Sequence, residues 1–129
     1  IRALVRSRGL GDVYKRQLFG LKDNTFKTFE DRPNLLTKRE IRIQILADLE
    51  LPENGIIYDI GAGCGSIGLE ALKLRPNLNL FCIDKRIGSK ELIAENAKRL
   101  GVLPKDIYEE DINNLDFVII NFHILTVNF

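Results

Sequence analysis

The sequence predicts an α/β fold built on a parallel, doubly wound sheet. Three observations carry that prediction. Elements alternate along the chain as helix, strand, helix, strand, helix, strand, short turn, strand, the pattern of right-handed crossovers between parallel strands. Two short apolar runs, residues 56–60 and 78–83, each carry an acid at the end, Asp59 in the first and Asp84 just after the second. Between the first run and the helix behind it, Gly61, Gly63 and Gly65 stand at alternate positions.

Residues 1–17 hold five of the 19 basic residues and one acid. A basic arm for nucleic acid and an Arg-rich targeting segment both compete for this stretch. The targeting reading is weakened because no amphipathic run accompanies it. The preferred reading is different: Asp12-Val13-Tyr14-Lys15-Arg16-Gln17 resembles the in-frame translation of a transposon end used in preparing sequencing libraries. On that reading 1–17 is a non-native leader, and 18–129 is the cofactor-binding part of a domain. Setting the leader aside leaves 14 basic against 17 acidic residues, net −3 instead of +1, and removes the case for a basic partner surface. The chain has no Met, so Ile1 is not expected to be a natural start.

Residues 18–36 lack periodicity and read as an extended segment, with Phe26 and Phe29 tucked against a core and turn chemistry at Asp31-Arg32-Pro33-Asn34. Thr37-Lys38-Arg39-Glu40 reads as a capping box, with Thr37 as N-cap. Ile41, Ile45, Leu46 and Leu49 then follow at helical spacing. For Thr37, a cap alone and a contact to a cofactor are both open. Leu51-Pro52-Glu53-Asn54-Gly55 stops this helix.

The strand at 56–60 enters the glycine turn, and a helix runs from Ser66 to about Leu74. Alternating glycines let the backbone turn sharply and approach a ligand where a Cβ would collide. The helix behind points its positive end at the turn. No Gly-Lys-Ser/Thr follows, which excludes a phosphate-binding P-loop, and the spacing is not the plain G-x-G-x-x-G fingerprint, although Gly68 is a fourth glycine. Asp59 can accept from a cofactor amine or anchor the loop. The second strand, 78–83, ends in Asp84, 19 residues beyond Gly65. An acid there can take both hydroxyls of an adenosine ribose. Asp84 as a simple turn residue is the plain alternative, and a nicotinamide-binding fold is the nearest functional competitor.

Ser89 is placed to cap a third helix over 90–100, with Leu92, Ile93, Ala97 and Leu100 as its apolar stripe and Gly101 as C-cap. Glu91, Glu95 and Arg99 face solvent on it. Residues 106–111 read as a short third strand ending in Asp111, which is set for an adenine edge, with Ile112 against the ring. Residues 116–120, nearly all apolar, read as a fourth strand buried on both faces. His123, the single histidine, is expected to be incidental because no partner for catalysis is visible.

The composition is that of one soluble globular domain, with 45% hydrophobic and 29% charged residues. No apolar run approaches the roughly 20 residues of a membrane helix. Two cysteines without metal-ligand spacing argue for a reducing, cytoplasmic setting and against a zinc site.

D-x-G-x-G-x-G after a strand resembles the loop of class I S-adenosylmethionine methyltransferases, a Rossmann-like group. Leu36-Thr37-Lys38-Arg39-Glu40-Ile41-Arg42, the linker ending Glu53-Asn54-Gly55, and Tyr58-Asp59-Ile60-Gly61-Ala62-Gly63-Cys64-Gly65-Ser66 together resemble the decarboxylating precorrin-6Y methyltransferase family of cobalamin biosynthesis. The resemblance runs from about Leu18 to Ile120. It implies an S-adenosylmethionine site at Thr37, Asp59, Gly61, Ala62, Gly63, Cys64, Gly65, Asp84, Asp111 and Ile112. It implies a precorrin substrate that is methylated on the ring and decarboxylated at an acetate side chain. It also implies either a separate subunit, with a homo-oligomer as one arrangement, or the C-terminal half of a two-methyltransferase fusion. In-line methyl transfer requires no acid/base pair, so no catalytic residue is named. The family has a glycine-rich segment after its fourth strand, where this chain has Asn121-Phe122-His123-Ile124, and the stretch from Asp111 to Asp116 is short. The C-terminal strands and the substrate half are therefore expected to be missing. A methyltransferase acting on RNA, protein or another small molecule is the alternative, as is an inactive fragment with an exposed apolar edge strand.

Overall fold

A computed structural model describes residues 19–115 and the backbone of 122–126. Its sheet has four parallel strands: β1 (Asn54–Ile60), β2 (Asn77–Ile83), β3 (Asp106–Tyr108) and β4 (Phe122–Thr126). Their spatial order is β3-β2-β1-β4. The chain thus moves outward from β1 through β2 to β3, then returns to the other side of β1. That reversal is the topological switch point of a doubly wound sheet, and ligand crevices form at the carboxyl ends of the strands beside it.

Three helices accompany these strands: α1 (Arg39–Asp48) precedes β1, α2 (Ser66–Leu74) joins β1 to β2, and α3 (Ser89–Leu100) joins β2 to β3. They share one core with the sheet. Leu46 of α1, Ile67, Leu69 and Leu72 of α2, and Ile93 and Ala97 of α3 meet Ile57, Leu78, Leu80 and Cys82. Across the strands Tyr58 lies 5.4 Å from Phe81, and Phe81 lies 6.4 Å from Tyr108, measured between ring centroids. Such cross-strand aromatic pairs hold neighbouring strands in register. No helix among the described residues is long and apolar enough to cross a membrane.

The segment before α1 is irregular, as expected, but it is firmly held. Leu21 and Phe26 are buried with Cys64 and Leu92 in a second small core. Turn bonds from Arg32 N to Phe29 O and from Leu35 N to Arg32 O fold residues 29–35 back.

Several local expectations are corrected. The helix begins at Arg39 with Lys38 as N-cap and no side-chain cap bond, so Thr37 and Glu40 form no capping box. The face of α1 is also rotated: Ile41 is 53% exposed, while Arg42 beside it is fully buried. The reason is a charge partner on α2, treated below. Ser89 does not cap α3; its hydroxyl donates to Asp84 O, and Gly88 is the N-cap. The carboxylate of Glu109 does the capping instead, accepting from the N–H of Gly88 at 3.0 Å and of Lys90 at 3.1 Å. Gly101 closes the other end as expected, donating to Ala97 O and Lys98 O. Strand β3 stops at Tyr108, short of Asp111. The strand expected at 116–120 lies outside the described residues; the described fourth strand is Phe122–Thr126, where His123 pairs in register with Ile57.

Candidate functional site

Each element of the site follows from the sheet's carboxyl edge. The turn after β1 is tied down first: Gly61 N and Ala62 N both donate to Ile83 O at the end of β2, and Gly65 N donates to Ala62 O. Gly63 N donates to Asp84 Oδ2 at 2.7 Å. These four amides are spent inside the protein, so the turn offers a shape more than a set of free donors. Gly65 stands at φ +86, and a Cβ on it would press within 3.1 Å of Leu69 and 3.2 Å of Ile93. Only glycine fits both the conformation and the packing.

A cavity of about 350 Å³ opens above this turn, within the range of small-molecule sites. Of the ten residues expected to hold a cofactor, eight line it: Thr37, Gly61, Ala62, Gly63, Cys64, Asp84, Asp111 and Ile112. Thr37 is 5% exposed and is held from behind, its carbonyl accepting from Arg42 Nη1 at 2.7 Å. Asp111 caps the short 3₁₀ turn Ile112–Asn114 by accepting from Asn113 N at 2.9 Å, which presents Ile112 to the cavity. Cys64 lines the cavity as a thiol, because burial pushes its pKa up, and a neutral thiol is a poor nucleophile. Cys82 is raised further for the same reason. Among the described residues no group of His, Cys, Asp and Glu could hold a metal ion.

Gly65 and Asp59 stand behind the cavity wall. Of the two roles open to Asp59, the structure shows the anchor: it is 3% exposed and its Oδ2 accepts from Gly68 N in α2 at 3.2 Å. Burial pushes its pKa up to about 7, the Gly68 hydrogen bond opposes the rise, and the nearby Asp84 charge adds to it. A carboxyl whose folded value exceeds its unfolded one favours the protonated fold. Its stabilising contribution is complete below about 3.8 and is lost as pH rises to about 7. Asp59→Asn is therefore expected to flatten the stability curve across that window and to leave the variant more stable than the parent at about pH 8. Denaturant unfolding at a series of pH values reads this directly, and an unchanged slope would count against it.

Asp84 is 2% exposed and sits at the cavity floor. Its Oδ1 accepts from Arg86 N at 2.8 Å, and its Oδ2 accepts from Gly63 N and from Arg86 Nη1, both at 2.7 Å.

Sequence reasoning missed the groups that brace the site. Arg42 and Glu70 are both fully buried and pair at 3.0 Å. Arg42 also donates to Thr37 O and Leu21 O and lies 4.8 Å from the Phe26 ring centroid. Asn96 of α3 donates to Cys64 O and Lys27 O, and accepts from Lys27 N. Periodicity could have raised a question at Glu70, a carboxylate on the apolar side of α2.

A parallel sheet that reverses beside β1, with a glycine turn after β1 and an acid after β2 meeting in one cavity, is a class I methyltransferase fold. The comparisons narrow this. The precorrin methyltransferase domain family matches residues 27–115, and the chain belongs to that family. A probable cobalt-precorrin-6B C(15)-methyltransferase (decarboxylating) of Saccharolobus solfataricus is 39% identical over 85 residues, covering 65% of this chain and 42% of that protein. The cobalt-precorrin-6B C(15)-methyltransferase (decarboxylating) of Salmonella typhimurium is 34% identical over 81 residues, covering 63% and 41%. The crystal structure of precorrin-6Y C5,15-methyltransferase from Geobacter metallireducens superposes with a TM-score of 0.63 at 30% identity, covering 73% of this chain and 48% of that one. The chain thus spans less than half the length of these relatives.

Proposed function

We propose that this chain supplies the cofactor-binding half of an S-adenosylmethionine-dependent methyltransferase that methylates a precorrin and decarboxylates it in cobalamin biosynthesis. One observation supports the cofactor most directly: Asp84 and the glycine turn are joined by a hydrogen bond at the floor of one cavity. The residues fit the cofactor's parts. Space is open beside Gly63, where a Cβ would meet nothing within 4 Å. A carboxylate suited to ribose hydroxyls lies next to it. Ile112 and Leu36 give the cavity apolar walls for an adenine ring. The substrate rests on the family and on what the named relatives act upon.

When bound, the cofactor's sulfonium supplies an electrophilic methyl group. This chain's residues bind and orient it. Holding two reactants in line contributes about 7–11 kcal/mol of barrier reduction in well-aligned systems. The braced Thr37 and the tethered turn are suited to that task, since neither can move without breaking buried bonds.

Asp84→Ala is expected to weaken S-adenosylmethionine binding more than about tenfold in calorimetric titration, the scale of a lost charge-assisted hydrogen-bond pair. Unchanged affinity would remove Asp84 from the site.

A further inference from the structure

We propose that Arg86 sets cofactor affinity by occupying the Asp84 oxygen that a ribose hydroxyl takes, so that binding exchanges an ion pair for hydroxyl hydrogen bonds. The inference rests on the cofactor reading above and goes beyond it by naming a competitor within the site.

A carboxylate has about four acceptor positions. Three on Asp84 are filled: Oδ1 by Arg86 N, and Oδ2 by Gly63 N and Arg86 Nη1. Two of the three donors are backbone amides. They belong to the glycine turn and to the bend after β2, and both are fixed by the fold. A ribose diol brings two donors. Two hydroxyls and two fixed amides fill the carboxylate, and the guanidinium is the donor that leaves. It is also the donor free to leave: the Arg86 side chain is 31% exposed, against 1% for Asp84. Arg86 itself lines the cavity, so its departure opens space at the ribose position.

The role carries a sign. A residue that assists binding weakens it when removed; a residue that competes for the acceptor strengthens it when removed. Arg86→Met keeps much of the aliphatic bulk and removes the donor. S-adenosylhomocysteine is expected to bind the variant about fivefold more tightly than the parent, the upper size of a partly exposed ion pair. A 2′-deoxy analogue of the same ligand, with one hydroxyl donor fewer, is expected to gain less. Arg86→Lys, which keeps the charge on a compact ammonium, is expected to fall between.

Calorimetric titration of the full chain and both variants with the two ligands tests this, with a thermal melt of each variant to establish that it is folded. Absence of S-adenosylhomocysteine binding by the parent would overturn the cofactor reading itself. Binding by the parent with equal or weaker binding by Arg86→Met, or an equal gain for the 2′-deoxy analogue, would overturn the exchange. Should Arg86→Met fail to fold, Arg86→Lys decides: tighter binding than the parent supports the exchange, and equal or weaker binding overturns it.

Discussion

Glu70→Ala is expected to cost about 3–5 kcal/mol of folding stability, the cost of leaving one partner of a buried ion pair alone. Against the roughly 5–15 kcal/mol that holds a small domain together, this brings the fold close to its limit. Glu70 accepts from Arg42 Nε at 3.0 Å, from Gly20 N at 2.8 Å and from Leu21 N at 3.2 Å. Truncation removes the Glu70 acceptor from two backbone amides and leaves the Arg42 guanidinium with Asp23, whose side chain is 34% exposed, as its charge partner. The double variant Arg42→Met, Glu70→Leu should recover only part of the loss: it removes the unpaired charge, but the amides of Gly20 and Leu21 and the carbonyls of Thr37 and Leu21 still lose these side-chain partners. Denaturant unfolding of the single and double variants checks both halves. A loss under about 1 kcal/mol for Glu70→Ala would show that the pair is not as dry as its burial indicates.

Gly68→Ala is the second large effect, and here two terms oppose each other. Alanine gains about 1 kcal/mol over glycine inside a helix. At this position its Cβ would lie 2.6 Å from Asp59 Oδ2, 3.1 Å from Leu80 Cδ1 and 3.3 Å from Asp59 Cβ. Asp59 and Leu80 are both buried and cannot swing away. Helix α2 must retreat from β1, and the Gly68–Asp59 hydrogen bond goes with it. The overpacking cost of about 1–3 kcal/mol, together with that lost bond, outweighs the propensity gain, for a net loss of about 2 kcal/mol. Urea unfolding measures it, and a variant as stable as the parent would refute the close helix–strand contact.

The strands and helices from Asn54 to Leu100 were legible in the sequence because each satisfies a local rule. Apolar runs of strand length end in turn residues, and α2 and α3 carry apolar stripes at helical spacing. Five of the eight expected cofactor residues that line the cavity, Gly61 to Cys64 and Asp84, are there because the glycine turn and the acid after β2 belong to one βαβ unit, whose geometry fixes their approach. What was not legible is non-local. Arg42 sits between Ile41 and Ile43 in the sequence and looks like a solvated position. Its burial depends on Glu70, 28 residues away, and α1 turns so that the charged pair, with its hydrogen bonds, goes inside while Ile41 goes out. Thr37 failed as a cap because its carbonyl serves the same guanidinium. Glu109, inside the stretch 106–111 that reads as a strand, caps a helix that begins 20 residues earlier. For Arg42 and Glu109 the deciding partner lies far along the chain, where periodicity carries no information, and Thr37 follows from where Arg42 is held.

The register of β1 against β2 acts as a ruler. Asp59 stands opposite Cys82 and Ile60 opposite Ile83, so Asp84 follows directly on the last paired rung, two residues beyond the one that faces Asp59. The two acids, which look equivalent as strand-end residues, are therefore two rungs apart on one row, about 6.6–6.8 Å along the strand. That offset divides their labour. The inner carboxylate meets the helix and holds α2 against the sheet; the outer one reaches the turn and faces the cavity.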